Sequence, residues 1–265
     1  MDTSNLNNGN RNSENRNEEQ QNGARKIIKV CGMRDGENIR QVAALGVDWI
    51  GMIFWQQSPR NVTMIPSGAG IIPDRASEKL APVAENSYDA GLSDKPTALP
   101  KRVGVFVDEM AQNIITRVVQ YRLDIVQLHG NESPTLIRNL RATLADIRPG
   151  LRFIKAISIP DSAVAHEAID SWKLYADCVD YLLFDTKCKS VGGSGQQFDW
   201  SVLDCYDGTI PFLLSGGIGP DDAERVRLFR HPQCIGFDLN SRFETAPAEK
   251  DVAALQHFLS QLRKD

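Results

Sequence analysis

Cys31 and Asp185 are the side chains best placed for proton-transfer chemistry in this 265-residue chain. Cys31 closes the run Lys26-Ile27-Ile28-Lys29-Val30 and opens a turn with Gly32, Met33 and Arg34. Asp185 closes a second apolar run, Tyr181-Leu182-Leu183-Phe184. A strand sends successive side chains to opposite faces, so Ile27, Lys29 and Cys31 share one face. A lysine beneath a thiol favours the thiolate and is expected to lower its pKa from about 8.5, making Cys31 a base near neutral pH. Asp185 follows two apolar residues, and desolvation is expected to raise its pKa and keep part of it protonated as an acid. One group titrating down and one titrating up mark an acid/base pair. On spacing alone a second reading of each stands equally open: Cys31 as a small core residue, Asp185 as a helix cap.

Binding chemistry gathers after later strand-like runs. Gly192-Gly193-Ser194-Gly195 follows Asp185, Ser215-Gly216-Gly217-Ile218-Gly219 ends the next run, and Asp238-Leu239-Asn240-Ser241 ends the last. Glycines let backbone N–H groups approach an anion closely. Three such loops in succession point to a phosphate site, with Gly193, Ser194, Gly195, Ser215, Gly216, Gly217, Asn240 and Ser241 as its candidates; tight βα connections alone are the plainer reading. Arg60, after Ser58-Pro59, offers a planar fork that matches a carboxylate bidentately, or else a surface arginine in a turn. His129, in Gln127-Leu128-His129-Gly130, reads as a hydrogen-bonded structural group rather than a base.

Eight β-branched or apolar runs stand ready to position these residues, at 26–30, 48–54, 102–107, 124–128, 152–157, 180–184, 209–214 and 234–239. Most are continuously apolar, as strands covered on both faces are. Helix-like stretches alternate with them at 37–46, 110–121, 133–145, 163–175, 199–205, 221–229 and 248–263. Asp108 is the expected N-cap of the second and Ser133-Pro134 the start of the third. Alternation of this kind predicts a parallel α/β fold, and eight units predict a (β/α)₈ barrel with its site at the carboxyl ends of the strands. The segment 61–101 is rich in Pro and Gly and breaks the rhythm; its helix is expected to be short, displaced or partly replaced by a long loop. The Asn-rich segment 1–25 is almost free of apolar groups and is expected to be a disordered tail, leaving 26–265 as one catalytic domain.

A net charge of −4 shows no bias toward nucleic acid, and no apolar run is long enough to cross a bilayer. The five cysteines form no C-x-x-C pair, which argues against a disulfide framework or zinc site and for a reducing, cytoplasmic setting. Cys178, Cys205 and Cys234 read as small apolar side chains.

Taken as an ordered set, the loops resemble those of phosphoribosylanthranilate isomerases, Amadori-type isomerases of tryptophan biosynthesis. The likeness is carried by Lys29-Val30-Cys31-Gly32-Met33, Ser58-Pro59-Arg60, Val103-Gly104-Val105-Phe106-Val107, Gln127-Leu128-His129-Gly130, Leu183-Phe184-Asp185-Thr186, Gly192-Gly193-Ser194-Gly195, Leu214-Ser215-Gly216-Gly217-Ile218 and Glu244-Thr245-Ala246-Pro247. It implies a (β/α)₈ barrel that needs no cofactor and acts as a monomer or homodimer on a small phosphorylated substrate. It also implies Asp185 as general acid, Cys31 as general base, Arg60 on the anthranilate carboxylate and the glycine loops on the phosphate. Ser241-Arg242-Phe243-Glu244 departs from the pattern, which has glycine where Arg242 stands. A flavin-dependent barrel using the same loops for FMN is the alternative, and it predicts a yellow protein.

Overall fold

The computed structural model describes residues 25–67, 70–73, 99–187 and 198–264. The expected tail therefore lies outside the described residues apart from Arg25, as do Gly193, Ser194, Gly195 and most of the irregular segment 61–101. Eight parallel strands close a barrel: β1 (Ile27–Val30), β2 (Trp49–Ile53), β5 (Lys101–Phe106), β6 (Ile125–Leu128), β7 (Arg152–Pro160), β8 (Tyr181–Lys187), β9 (Phe212–Ser215) and β10 (Cys234–Leu239). Two further strands, β3 (Met64–Ser67) and β4 (Gly70–Pro73), form a hairpin within the Pro/Gly-rich segment. After β10 comes a small hairpin of β11 (Glu244–Ala246) and β12 (Glu249–Lys250).

Alternation along the strands builds two layers of core. Cys31, Val103, Val105, Ile125, Ile154, Leu183 and Leu213 pack together inside the barrel. Ile28, Val30, Leu182, Phe184, Phe212 and Leu214 face outward under the helices. Lys29 shares the inner face with Cys31 and is fully buried. Its Nζ donates to Asp238 Oδ1 at 2.8 Å across the β1–β10 seam.

The outer helices are α1 (Gly36–Ala44), α2 (Ala111–Gln120), α3 (Pro134–Leu144), α4 (Ala165–Asp170), α5 (Ala223–Leu228) and α6 (Val252–Leu262). Three have side-chain caps: Asp35 accepts from Glu37 N and Asn38 N, Ser133 from Leu136 N and Asp251 from Ala254 N. Asp108 is not the cap of α2. It adopts a left-handed φ of 48°, the N-cap is Met110, and the Asp108 carboxylate instead accepts from Asn131 N in the neighbouring loop. The stretch 163–175 is only partly α-helical, turning to a 3₁₀ helix over Ser171–Tyr175; 199–205 holds the 3₁₀ helix Trp200–Cys205. Cys178 and Cys234 are buried as expected, whereas Cys205 is exposed and hydrogen-bonds Val202 O.

Candidate active site

A cavity of about 250 Å³ opens at the carboxyl ends of the strands. It brings together Cys31 from β1, Asp185 from β8, Ser215, Gly216 and Gly217 from the end of β9, and Asn240 and Ser241 from the end of β10. Gln127, His129, Thr186, Asp238 and Arg242 complete its polar lining. Pairing of Asp185 with Ser215 between β8 and β9 sets acid and glycine loop side by side. Gly216 has a φ of +99°, and a Cβ there would lie 2.0 Å from Thr186 O, so only glycine lets the turn pass over β8.

The thiol side of the cavity is shaped by a residue that carries no chemistry. A Cβ on Gly51 of β2 would stand 2.7 Å from Cys31 Sγ, so the missing side chain makes the space that Sγ fills. Below lies the Lys29–Asp238 ion pair, with Ser215 Oγ donating to Asp238 Oδ2 at 3.4 Å. This corrects the expectation that Lys29 would make Cys31 an acidic thiol. Burial pushes the Cys31 thiol up from its ordinary value, and Asp238 adds to the rise, while Lys29 and Lys250 pull the other way without prevailing. Much of the field of Lys29 is spent on Asp238. Burial alone would lower the Lys29 ammonium, but the charges of Asp238 and Cys31 hold it above its usual range.

Asp185, on β8, is part-buried, with Oδ2 at 3.4 Å from His129 Nε2. Gln127 Nε2 lies 3.1 Å from His129 Nδ1. With the amide donating to Nδ1, the ring proton sits on Nε2 and faces Asp185. His129 is thus a neighbour of the carboxyl, a role its position in the sequence left unstated. Its loop is tied down by the buried Lys155–Glu132 pair at 3.0 Å, in which Glu132 also accepts from Gly130 N.

Arg60 is not in the lining of the cavity. Its Nε and Nη2 close bidentately on Glu244, at 2.8 Å to Oε1 and 2.6 Å to Oε2 respectively. Glu244 also accepts from Lys250 Nζ at 2.5 Å, and Lys250 reaches on to Asn240 Oδ1 at 2.9 Å. Burial would raise the Glu244 carboxyl, but hydrogen bonds from Arg60 and Lys250 hold it below the usual range. The cluster converges on Gly32, where φ is +77° and a Cβ would lie 2.6 Å from Asn240 Oδ1 and 2.7 Å from Arg60 Cδ. The arginine fork read from the sequence is therefore already engaged by a carboxylate of the chain itself. Asp238, Gln127 and Lys250 were not singled out from the sequence. Asp238 was within reach, since alternation along β10 puts it on the same face as Asn240.

Comparison with known proteins identifies relatives of this barrel. The family model described as N-(5'phosphoribosyl)anthranilate (PRA) isomerase matches residues 77–261. The chain is 42% identical over 236 residues to an N-(5'-phosphoribosyl)anthranilate isomerase of Parabacteroides distasonis, covering 89% of this chain and 93% of the relative. It is 40% identical over 241 residues to that of Phocaeicola vulgatus, covering 90% and 98%. Among solved structures, a phosphoribosyl anthranilate isomerase from Thermus thermophilus superposes with a TM-score of 0.63 at 24% identity, covering 89% of this chain and 98% of that one. Another such enzyme, in complex with reduced 1-(o-carboxyphenylamino)-1-deoxyribulose 5-phosphate, gives 0.62 at 22% identity, covering 90% and 99%. These two share the barrel fold. With a family model over most of its length and relatives at 40% identity and above across nine-tenths of it, this chain belongs to the N-(5'-phosphoribosyl)anthranilate isomerase family.

Proposed function

We propose that this protein converts N-(5-phosphoribosyl)anthranilate to 1-(2-carboxyphenylamino)-1-deoxyribulose 5-phosphate in tryptophan biosynthesis, with Asp185 as general acid and Cys31 as general base. The observation that carries the reading is that one cavity is lined by both groups, next to a glycine turn. In this reading Asp185 gives its proton to the ribose ring oxygen, the C1–O bond breaks, and a Schiff base forms between C1 and the anthranilate nitrogen. The Cys31 thiolate removes the C2 proton, yielding an enolamine. Proton return to C1 and loss of the C2 hydroxyl proton give the ketone. No oxidant or cofactor enters, because the electron pair released at C2 is taken up at C1.

The elevated thiol pKa makes the Cys31 thiolate a minority form near neutral pH, and Lys29 and Lys250 keep it accessible. Gly216, Gly217, Asn240 and Ser241, with Gly193, Ser194 and Gly195 outside the described residues, hold the phosphate. Arg60 meets the anthranilate carboxylate with the guanidinium edge that Glu244 leaves open. A fluorescence assay with freshly prepared substrate tests the assignment. Wild type consumes it faster than its spontaneous breakdown. Cys31→Ser and Asp185→Asn each lose about 10²–10⁴ in kcat while still binding a reduced product analogue. Full activity in either variant removes that residue from its role.

A further inference from the structure

Arg242 sits at the mouth of the cavity in the 3₁₀ turn Ser241–Phe243 that follows β10. Its neighbour Phe243 is buried, edge-on to Phe258 of α6 at 5.1 Å between ring centroids, and Phe243 N donates to Asn240 O at 3.1 Å. That anchor fixes the turn and leaves the exposed Arg242 on the solvent side. Gly219, in the loop after β9, makes room for the side chain: a Cβ there would lie 3.1 Å from Arg242 Nε and 3.5 Å from Nη2. The guanidinium therefore lies along the same loop that carries Gly216 and Gly217.

Charge bookkeeping around the mouth singles this residue out. Lys29 is paired with Asp238, and Arg60 and Lys250 share Glu244. Arg242, the one arginine or lysine in the lining of the cavity, forms no ion pair with an acidic group among the described residues. The backbone N–H groups of Gly217, Ser241 and Arg242 also donate to nothing among the described residues. A cation and three amide donors without acceptors, beside one cavity, form a set complementary to a dianion with several oxygens.

The geometry points to Arg242 as a phosphate-binding residue. Its guanidinium closes over the phosphate from the β10 side while the backbone amides receive it from the β9 side. The inference rests on the reading that the substrate carries a phosphate, and it adds a side-chain cation to a site otherwise made of backbone. An interaction of this kind acts on binding rather than on the proton transfers, because the phosphate stays unchanged through the reaction.

The test uses the full chain and its Arg242→Gln and Arg242→Lys variants, with inorganic phosphate as the probe. Binding of inorganic phosphate is measured by calorimetry and, separately, as competitive inhibition of the isomerase assay. Arg242→Gln is expected to raise both the phosphate dissociation constant and KM for phosphoribosylanthranilate about fivefold to tenfold, with kcat within about twofold of wild type. Arg242→Lys recovers part of the loss, and added salt weakens wild type more than Arg242→Gln. Unchanged phosphate affinity in Arg242→Gln overturns the inference even when the enzyme is fully active. Failure of wild type to turn over the substrate overturns the isomerase reading instead, and calorimetry with inorganic phosphate still decides on Arg242.

Discussion

At the scale of single residues, the site rests on a thiol whose environment opposes its ionisation. Cys31 was expected to be made acidic by Lys29, and the lysine is indeed beneath it. The sequence could not show that Asp238, 209 residues away from Lys29, would meet that ammonium at 2.8 Å. Burial then dominates and the thiol titrates on the alkaline side of its usual value. Asp238→Asn removes the opposing carboxylate and frees the charge of Lys29 to act on the thiol. The pH midpoint for iodoacetamide alkylation of Cys31, followed by mass spectrometry, is expected to move to lower pH. A midpoint that stays put or rises would show that Lys29 and Asp238 do not set the ionisation of Cys31.

At the scale of elements, the hairpin of β11 and β12 does more than connect β10 to α6. It brings Glu244 and Lys250 against Arg60 from the loop after β2, and Asn38 of α1 clasps Lys250 by bonds to both its backbone N and O. Glu244→Gln leaves Arg60 and the fully buried Lys250 side chain without their shared anion. Removing one partner of a buried ion pair costs on the order of 3 kcal/mol. The sign of its pH dependence follows from the depressed Glu244 carboxyl. That stabilisation is present above the unfolded glutamate value of about 4.3 and is lost as pH falls through the lower folded value. The gap in urea midpoint between wild type and Glu244→Gln is thus expected to be wide at neutral pH and to narrow in acid. A gap that is constant with pH would separate the ion cluster from the stability of the hairpin. KM for the substrate should rise as well, because Arg60 loses the group that orients it.

At the scale of the whole molecule, barrel closure joins the first and last barrel strands, β1 and β10, with Ile27 opposite Gly236 and Lys29 opposite Asp238. A Cβ on Gly236 would lie 2.1 Å from Ile27 O and 2.7 Å from Ile27 Cβ. Neither a backbone oxygen nor a strand can yield cheaply, so Gly236→Ala is expected to destabilise the barrel by about 1–3 kcal/mol or more, read as a lower urea midpoint. Loss of kcat/KM should accompany it, since the same seam carries Cys31 and Asp238. A wild-type midpoint would mean that the seam relaxes freely.

The division of labour between chain and fold is physical. Continuous apolar runs between amphipathic segments are local patterns, so the eight strands and the barrel class were legible along the chain, as were the Ser133 cap and the placing of Cys31 beside Lys29. The resemblance of the ordered loops pointed to the family that the comparisons then showed. What stayed hidden depends on partners distant in sequence. Asp108 reads as a cap until a neighbouring loop offers it Asn131 N; Arg60 reads as an open fork until Glu244, 184 residues on, fills it; and Gly51 reads as one more strand residue until Cys31 Sγ occupies its missing side chain. Residue order alone determined which groups stand at the ends of strands. Only the closed barrel decided which charges meet, because electrostatic and packing energies depend on distances across the barrel that sequence spacing does not encode.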